Sequence, residues 1–143
     1  MIKKLSHNNL QSGDEDRIRE LFQQLSSRKT QNIQDLLSDP KNNIHLACIR
    51  EGKTIIGMAS LSTYKVVSGN KGWIEDVVVD RDHRGKGIGK LLIQYLMDLG
   101  KELGLTEIFL FTEEEKKAAI HLYEKLGFVQ KNSRLYHLKF SEN

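Results

Sequence analysis

Apolar positions change period several times along the chain, and each change predicts an element. Ile18, Leu21, Phe22 and Leu25 recur at the spacing of one helix face. Ser12, Asp14, Glu15 and Asp16 precede them, as capping and acidic residues do at a helix start. A shorter helix is predicted over 33–37 and is stopped by Asp39-Pro40. Residues 44–50 and 54–64 read as strands around a Glu51-Gly52-Lys53 turn. Gly69-Asn70-Lys71-Gly72 reads as another turn, before a Val-rich strand over 73–80. Ile88, Leu91, Leu92, Tyr95, Leu96, Leu99 and Leu103 then return to helical spacing up to Gly104. A strand is predicted over 107–112, then a helix through Ala119, Leu122, Tyr123 and Leu126 that Gly127 ends. Closing strands are predicted over 128–130 and 135–140, and a short first strand over 2–5.

An antiparallel meander followed by strand, helix and strand predicts an α+β fold rather than a doubly wound parallel sheet. No linker, repeat or low-complexity tract interrupts the chain, so the expectation is a single domain over 1–143. Composition supports a packed core: 38% of the residues are hydrophobic and 29% charged. No apolar run reaches the roughly 20 residues that cross a bilayer, and no apolar block follows the basic N-terminus. No membrane partner and a cytoplasmic address are therefore expected. The lone Cys48 fits that address and allows no internal disulfide. A net charge of +3 without a basic, aromatic strip argues against nucleic acid.

The most informative stretch is His83-Arg84-Gly85-Lys86-Gly87-Ile88-Gly89-Lys90, between the Val-rich strand and the long helix. Glycines let the backbone approach a ligand, and the helix start offers free N–H groups and a partial positive charge. Arg81, Arg84, Lys86 and Lys90 add charge, so the stretch suits a diphosphate or a similar anion. It is neither of two familiar nucleotide motifs. A Rossmann pattern begun at Gly85 needs glycine where Lys90 stands. A P-loop needs four residues between its glycines, and only three separate Gly85 from Gly89.

The run Ile74-Glu75-Asp76-Val77-Val78-Val79-Asp80, together with Arg84, Gly87 and Gly89, resembles the acetyl-CoA motif of the GNAT superfamily of N-acetyltransferases. That motif reads Gln/Arg-x-x-Gly-x-Gly/Ala. Ala119-Ile120-His121-Leu122-Tyr123-Glu124-Lys125-Leu126-Gly127-Phe128 resembles the second motif of the same family. The resemblance covers nearly the whole chain and implies a GNAT-like, mixed, mostly antiparallel sheet flanked by helices. It implies acetyl-CoA as co-substrate and an amine acceptor, a small molecule or a protein amine. The backbone of Val77, Val78 and Val79 is expected to pair with the pantetheine arm. The backbone N–H groups of Arg84, Gly85, Lys86, Gly87, Ile88, Gly89 and Lys90 are expected to hold the pyrophosphate. Lys116 stands where many members have asparagine and is expected to contact the coenzyme. Residues 74–79 also resemble the same strand of glucosamine-6-phosphate N-acetyltransferases.

Acetyl transfer to an amine needs the neutral amine, so a base is required. Glu75 is the first candidate and Asp76 the second, on opposite faces of the strand unless a bulge rotates one. The resemblance assigns Tyr123 as the acid that protonates the departing thiolate. Cys48, between Ala47 and Ile49, reads as a core residue rather than a nucleophile. The five dispersed histidines predict no metal site. A coenzyme-A-binding module without transfer activity is the alternative. Acceptor choice is expected to depend on residues 26–33 and 132–136, and the basic, polar first stretch suits an acidic or phosphorylated acceptor.

Overall fold

The longest strand lies at the centre of the sheet because both of its faces are covered. Thr54–Val66 is thirteen residues long, and its residues from Ile55 to Leu61 are all buried. A strand covered on both faces reads as a continuous apolar run rather than an alternation. In this computed structural model, which describes residues 1–141, the strands are β1 (Ile2–Leu5), β2 (Ile44–Glu51), β3 (Thr54–Val66), β4 (Gly69–Val79) and β5 (Glu107–Phe109). They form one sheet in the order β1-β2-β3-β4-β5. The first three pairings are antiparallel and β4–β5 is parallel. This is the mixed, mostly antiparallel sheet expected from the sequence. The described chain falls into two compact units, Met1–Leu110 and the residues from Phe111 onward.

In the first unit, helices α1 (Asp14–Gln23) and α2 (Ile33–Ser38) supply Ile18, Leu21 and Ile33 to a core with Leu46, Cys48, Ile55, Met58 and Val78. Asn32 caps α2 by accepting the Asp35 N–H at 2.9 Å. Helix α3 (Ile88–Glu102) buries Ile88, Leu92, Ile93 and Leu96. It packs so closely on β3 that a Cβ at Gly57 would lie 3.0 Å from Ile88 and 3.2 Å from Leu92. Cys48 is buried and its thiol is pushed up by desolvation, as a core residue's should be.

Helix α1 starts differently from the expectation. Gly13 is its N-cap, in a left-handed conformation, with no side-chain cap. Asp14 is instead buried in an ion pair with Arg50 at 2.7 Å and accepts the Gln11 N–H. Burial alone would raise its carboxyl pKa. The Arg50 hydrogen bonds, the Gln11 N–H and the Arg50 charge outweigh burial and lower it.

Other boundaries move for reasons of pairing. Gly69 to Gly72 are strand rather than turn, because Asn70, Lys71 and Gly72 pair with Lys65, Tyr64 and Thr63. The reversal takes place at Val67-Ser68. Strand β5 stops at Phe109, three residues short of the expected end. On α3, Leu91 and Leu103 are exposed and Ile93 takes the buried position.

The second unit contains α4 (Lys117–Lys125). Its C-terminus is a Schellman motif: Phe128 N–H donates to Tyr123 C=O at 3.0 Å and Gly127 N–H to Glu124 C=O at 3.1 Å. Gly127 supplies the required positive φ of 101°. The Tyr123 and Phe128 rings meet edge-on at 6.0 Å, the apolar contact that accompanies this motif. Glu113, Glu114 and Glu115 precede the helix instead of forming its first turn, where no acidic residue stands. Residues 128–130 and 135–140 form no strand among the described residues. Alternation of Tyr136, Leu138 and Phe140 marks a face, but a strand also needs a backbone ladder to join.

The Asp14–Arg50 pair gives a direct test of the first unit. Arg50→Met leaves a buried carboxylate without its cation and should destabilise by about 3 kcal/mol. Asp14→Asn combined with Arg50→Met should recover most of that loss, because no buried charge remains. Urea unfolding of the three proteins measures both effects. An Arg50→Met protein as stable as the parent would contradict the role given to the pair.

Candidate active site

Strand β4 carries two irregularities that shape the site. The first is a bulge. Ser60 pairs with Glu75 and Met58 with Val78, so Asp76 and Val77 together oppose Ala59. Asp76 takes a φ of 52°, the one positive φ outside glycine among the described residues. Strain of this kind concentrates at functional sites. The second irregularity is the shortness of β5. It pairs with β4 only at Lys71, Gly72 and Trp73. The Trp73–Phe109 ring contact at 5.2 Å and a Lys71–Glu107 ion pair at 3.8 Å hold that short stretch. From Ile74 to Val79, no strand among the described residues pairs with the β5 side of β4. Asp80 N–H bonds Ile56 C=O on the β3 side, so alternation turns the backbone groups of Val77 and Val79 toward the open side.

Glu75 and Asp76 are both solvent-accessible. Neither side chain has an ion pair or hydrogen bond among the described residues. The surrounding protein still removes enough water to raise both carboxyl pKa values, with the Asp76 charge adding to the rise at Glu75. Their positions relative to the neighbouring cavity differ. Asp76 lines a cavity of about 150 Å³ whose walls include Phe22, Ile33, Leu36 and Met58. Glu75 does not line it. The sequence put Glu75 first, and the bulge gives Asp76 the position on the cavity.

The Gly-rich loop follows β4 through a single 3₁₀ turn, Arg81–His83. Gly85 and Gly87 both have a φ of 79°, and a Cβ at either would meet open space. Glycine is therefore required here for its conformation, not for room. Gly87 is the N-cap of α3 and no side chain caps that end. The first N–H groups of α3, from Ile88 to Lys90, thus have no side-chain acceptor at an exposed, positively polarised helix start. Lys86 and Lys90 are exposed beside them. The Arg84 side chain turns back, and its Nε donates to Val79 C=O at 3.0 Å.

A network with no local signal along the chain fixes the base of this loop. Asp80 is buried. Its carboxylate accepts from Gln24 Nε2 at 2.8 Å, meets His83 Nδ1 at 2.8 Å and pairs with Arg17 Nη2 at 3.3 Å. Gln24 Oε1 in turn accepts the Arg81 N–H at 2.9 Å, so one side chain grips two consecutive residues. His83 Nε2 lies 3.4 Å from Glu51 on the β2–β3 turn. The Gln24 and His83 hydrogen bonds hold the Asp80 carboxyl far below the usual carboxylate range. The Asp80 hydrogen bond, with help from Glu51, raises the His83 pKa above its ordinary value.

In the second unit, Lys116 is the exposed N-cap of α4. Tyr123 is half-buried, burial raises its phenol pKa, and its hydroxyl bonds no described residue.

The bulged fourth strand, its open edge and the glycine loop at a helix start are features of one class of protein, and comparison agrees. The pattern of the acetyltransferase (GNAT) family matches residues 10–128, and the chain belongs to that family. A glucosamine 6-phosphate N-acetyltransferase of Trypanosoma brucei brucei is 36% identical over 107 residues, covering 73% of this chain and 71% of that protein. Its counterpart from Arabidopsis thaliana is 33% identical over 97 residues, 64% of this chain and 63% of that protein. The N-acetyltransferase YobR of Bacillus subtilis is 35% identical over 82 residues, only 33% of its length. The crystal structure of the Arabidopsis enzyme superposes with a TM-score of 0.76 at 27% identity, over 96% of this chain and 97% of that one. An acetyltransferase structure from Agrobacterium tumefaciens gives 0.82 at 19% identity, over 97% and 99%.

The Asp80 network predicts a pH window. A depressed carboxylate adds stability above its unfolded pKa of about 3.9, and that stability is lost as pH falls through the folded value. A raised histidine adds stability below about 6.5, lost as pH rises through its folded value. The clamp should therefore be strongest between about pH 4 and 6.5. Asp80→Asn should flatten both flanks of the stability–pH curve and lower the His83 pKa seen by NMR. An unchanged His83 titration would remove Asp80 as its partner.

Proposed function

We propose that this chain transfers an acetyl group from acetyl-CoA directly to a primary amine. The observation that carries the reading is the open β4 edge, which runs directly into an uncapped, glycine-flanked helix start. An extended pantetheine arm adds along Val77, Val78 and Val79 as a strand does, with the backbone groups of Val77 and Val79 facing it. The pyrophosphate then meets the N–H groups of the Arg84–Lys90 loop, with Lys86 and Lys90 supplying charge. Lys116 is a further phosphate contact in this reading. The coenzyme supplies the activated acetyl group, and the protein supplies position, a base and an acid. A cytoplasmic address goes with the same reading, since a lone thiol such as Cys48 persists reduced there.

The amine nitrogen attacks the thioester carbonyl only after losing a proton. A carboxylate with a raised pKa takes that proton more readily than an ordinary one. We assign this role to Asp76, which the cavity presents, ahead of Glu75. The tetrahedral intermediate carries an oxyanion. A backbone N–H on the open side of the bulge, near Val77, stabilises it by about 3 kcal/mol if well aimed. The thiolate then departs as the carbon–sulfur bond breaks. Tyr123 protonates it; a phenol with a raised pKa stays protonated at neutral pH and is able to donate.

Release of free CoA from acetyl-CoA across a panel of primary amines tests the function. With an active acceptor, Asp76→Asn should lower kcat/KM by about 100-fold and flatten the acidic limb of the pH–rate profile. Glu75→Gln should have the smaller effect. The reverse order would return the base to Glu75. Tyr123→Phe keeps the ring contact with Phe128 and removes the hydroxyl. Its turnover should fall at neutral pH and recover at high pH, whereas turnover equal to the parent would leave Tyr123 only its part in the helix terminus.

A further inference from the structure

The cavity beside Asp76 has a chemistry that narrows the acceptor. Helix α1 contributes Ile18 and Phe22, α2 contributes Ile33 and Leu36, and β3 contributes Met58. Polar groups lie at the loop between the helices, in Lys29, Thr30 and Gln31, and at Asp76. Ser60 also lines the cavity, but its hydroxyl already donates to Glu75 C=O at 3.1 Å. One unpaired carboxylate therefore faces a space whose walls are largely aliphatic and aromatic.

From this juxtaposition we infer that the acceptor is a primary amine on a compact alkyl or aryl body, its ammonium docking on Asp76 and its apolar part against Phe22, Ile33, Leu36 and Met58. The inference rests on the acetyl-transfer reading and deepens it. The polarity of the walls selects this class. The cavity of about 150 Å³ is open to solvent on one side, and its apolar walls cover a group about the size of benzene, roughly six non-hydrogen atoms. A hexosamine phosphate is larger and carries hydroxyls and a phosphate besides its amine. Burying those hydroxyls against Phe22, Leu36 and Met58 would leave them without hydrogen-bond partners, at a cost for each. The T. brucei and Arabidopsis relatives are named for such a substrate, so the inference separates this chain from them in specificity while keeping the family chemistry. Of the basic residues of that loop, read from sequence as suited to an acidic acceptor, Lys29 lines the cavity, beside walls that are mostly apolar.

Two measurements on the full chain test this. Ligand-observed NMR should detect benzylamine and isoamylamine binding without acetyl-CoA, at least tenfold tighter than glucosamine 6-phosphate. Thr30→Phe, which fills the cavity from the loop, and Asp76→Asn should each weaken that binding tenfold or more while acetyl-CoA affinity is kept. In turnover assays the two apolar amines should exceed glucosamine 6-phosphate in kcat/KM by at least tenfold. Failure of the apolar amines to bind, or preference for glucosamine 6-phosphate in either assay, overturns the inference. Apolar amines that bind as expected, with no CoA released for any amine, would support the site and overturn acetyl transfer instead.

Discussion

Beyond Trp73, strand β4 has a neighbour on one side only, and the site depends on that. The parallel pairing with β5 lasts three residues and is fastened by the Trp73–Phe109 contact. Past it, the strand keeps its antiparallel partner β3 and pairs with no described strand on its other edge. An exposed strand edge invites another chain to pair with it. Here it ends in a glycine loop and a helix start, so the surface it offers suits an extended ligand with an anionic end. The bulge at Asp76-Val77 works on the same strand. It breaks the alternation that would have set Glu75 and Asp76 on opposite faces and directs Asp76 to the cavity under α1 and α2.

An open edge is useful only if its ends are fixed. One end is held by β5. The other is held by Asp80, through side chains from α1, from the 3₁₀ turn and, by way of His83, from the β2–β3 turn. Buried polar networks of this kind specify one arrangement when every member is satisfied. Arg84 adds a further tie through Val79 C=O. The loop glycines are thus free to take left-handed conformations while the residues on either side are pinned. Position is most of what a transferase of this kind must supply, because the thioester is already activated.

Much of this was legible in the sequence, for identifiable reasons. The Val-rich strand, the loop glycines and the α3 face each leave a local signal, by period or by residue type. Cys48 was readable as core from its apolar neighbours. A bulge beside Glu75 and Asp76 is expected from the sequence, and Asp tolerates a positive φ better than most residues; the register of β3 against β4 sets it at Asp76-Val77. Gln24 and Asp80 are 56 positions apart, and no periodicity links them. Gly69 to Gly72 carry turn residues, yet pairing with residues 63 to 66 outweighs their propensity. The C-terminal alternation at Tyr136, Leu138 and Phe140 reads as a strand because pattern records a face and is silent about a ladder.

In the proposed mechanism the coenzyme arm binds along the open edge of β4. Amide hydrogen exchange measured residue by residue, with and without acetyl-CoA, tests it most directly. The Val77 and Val79 amides should slow markedly on binding, together with the amides from Gly85 to Lys90. Saturating acetyl-CoA that protects the loop but leaves Val77 and Val79 unchanged would contradict strand addition at this edge.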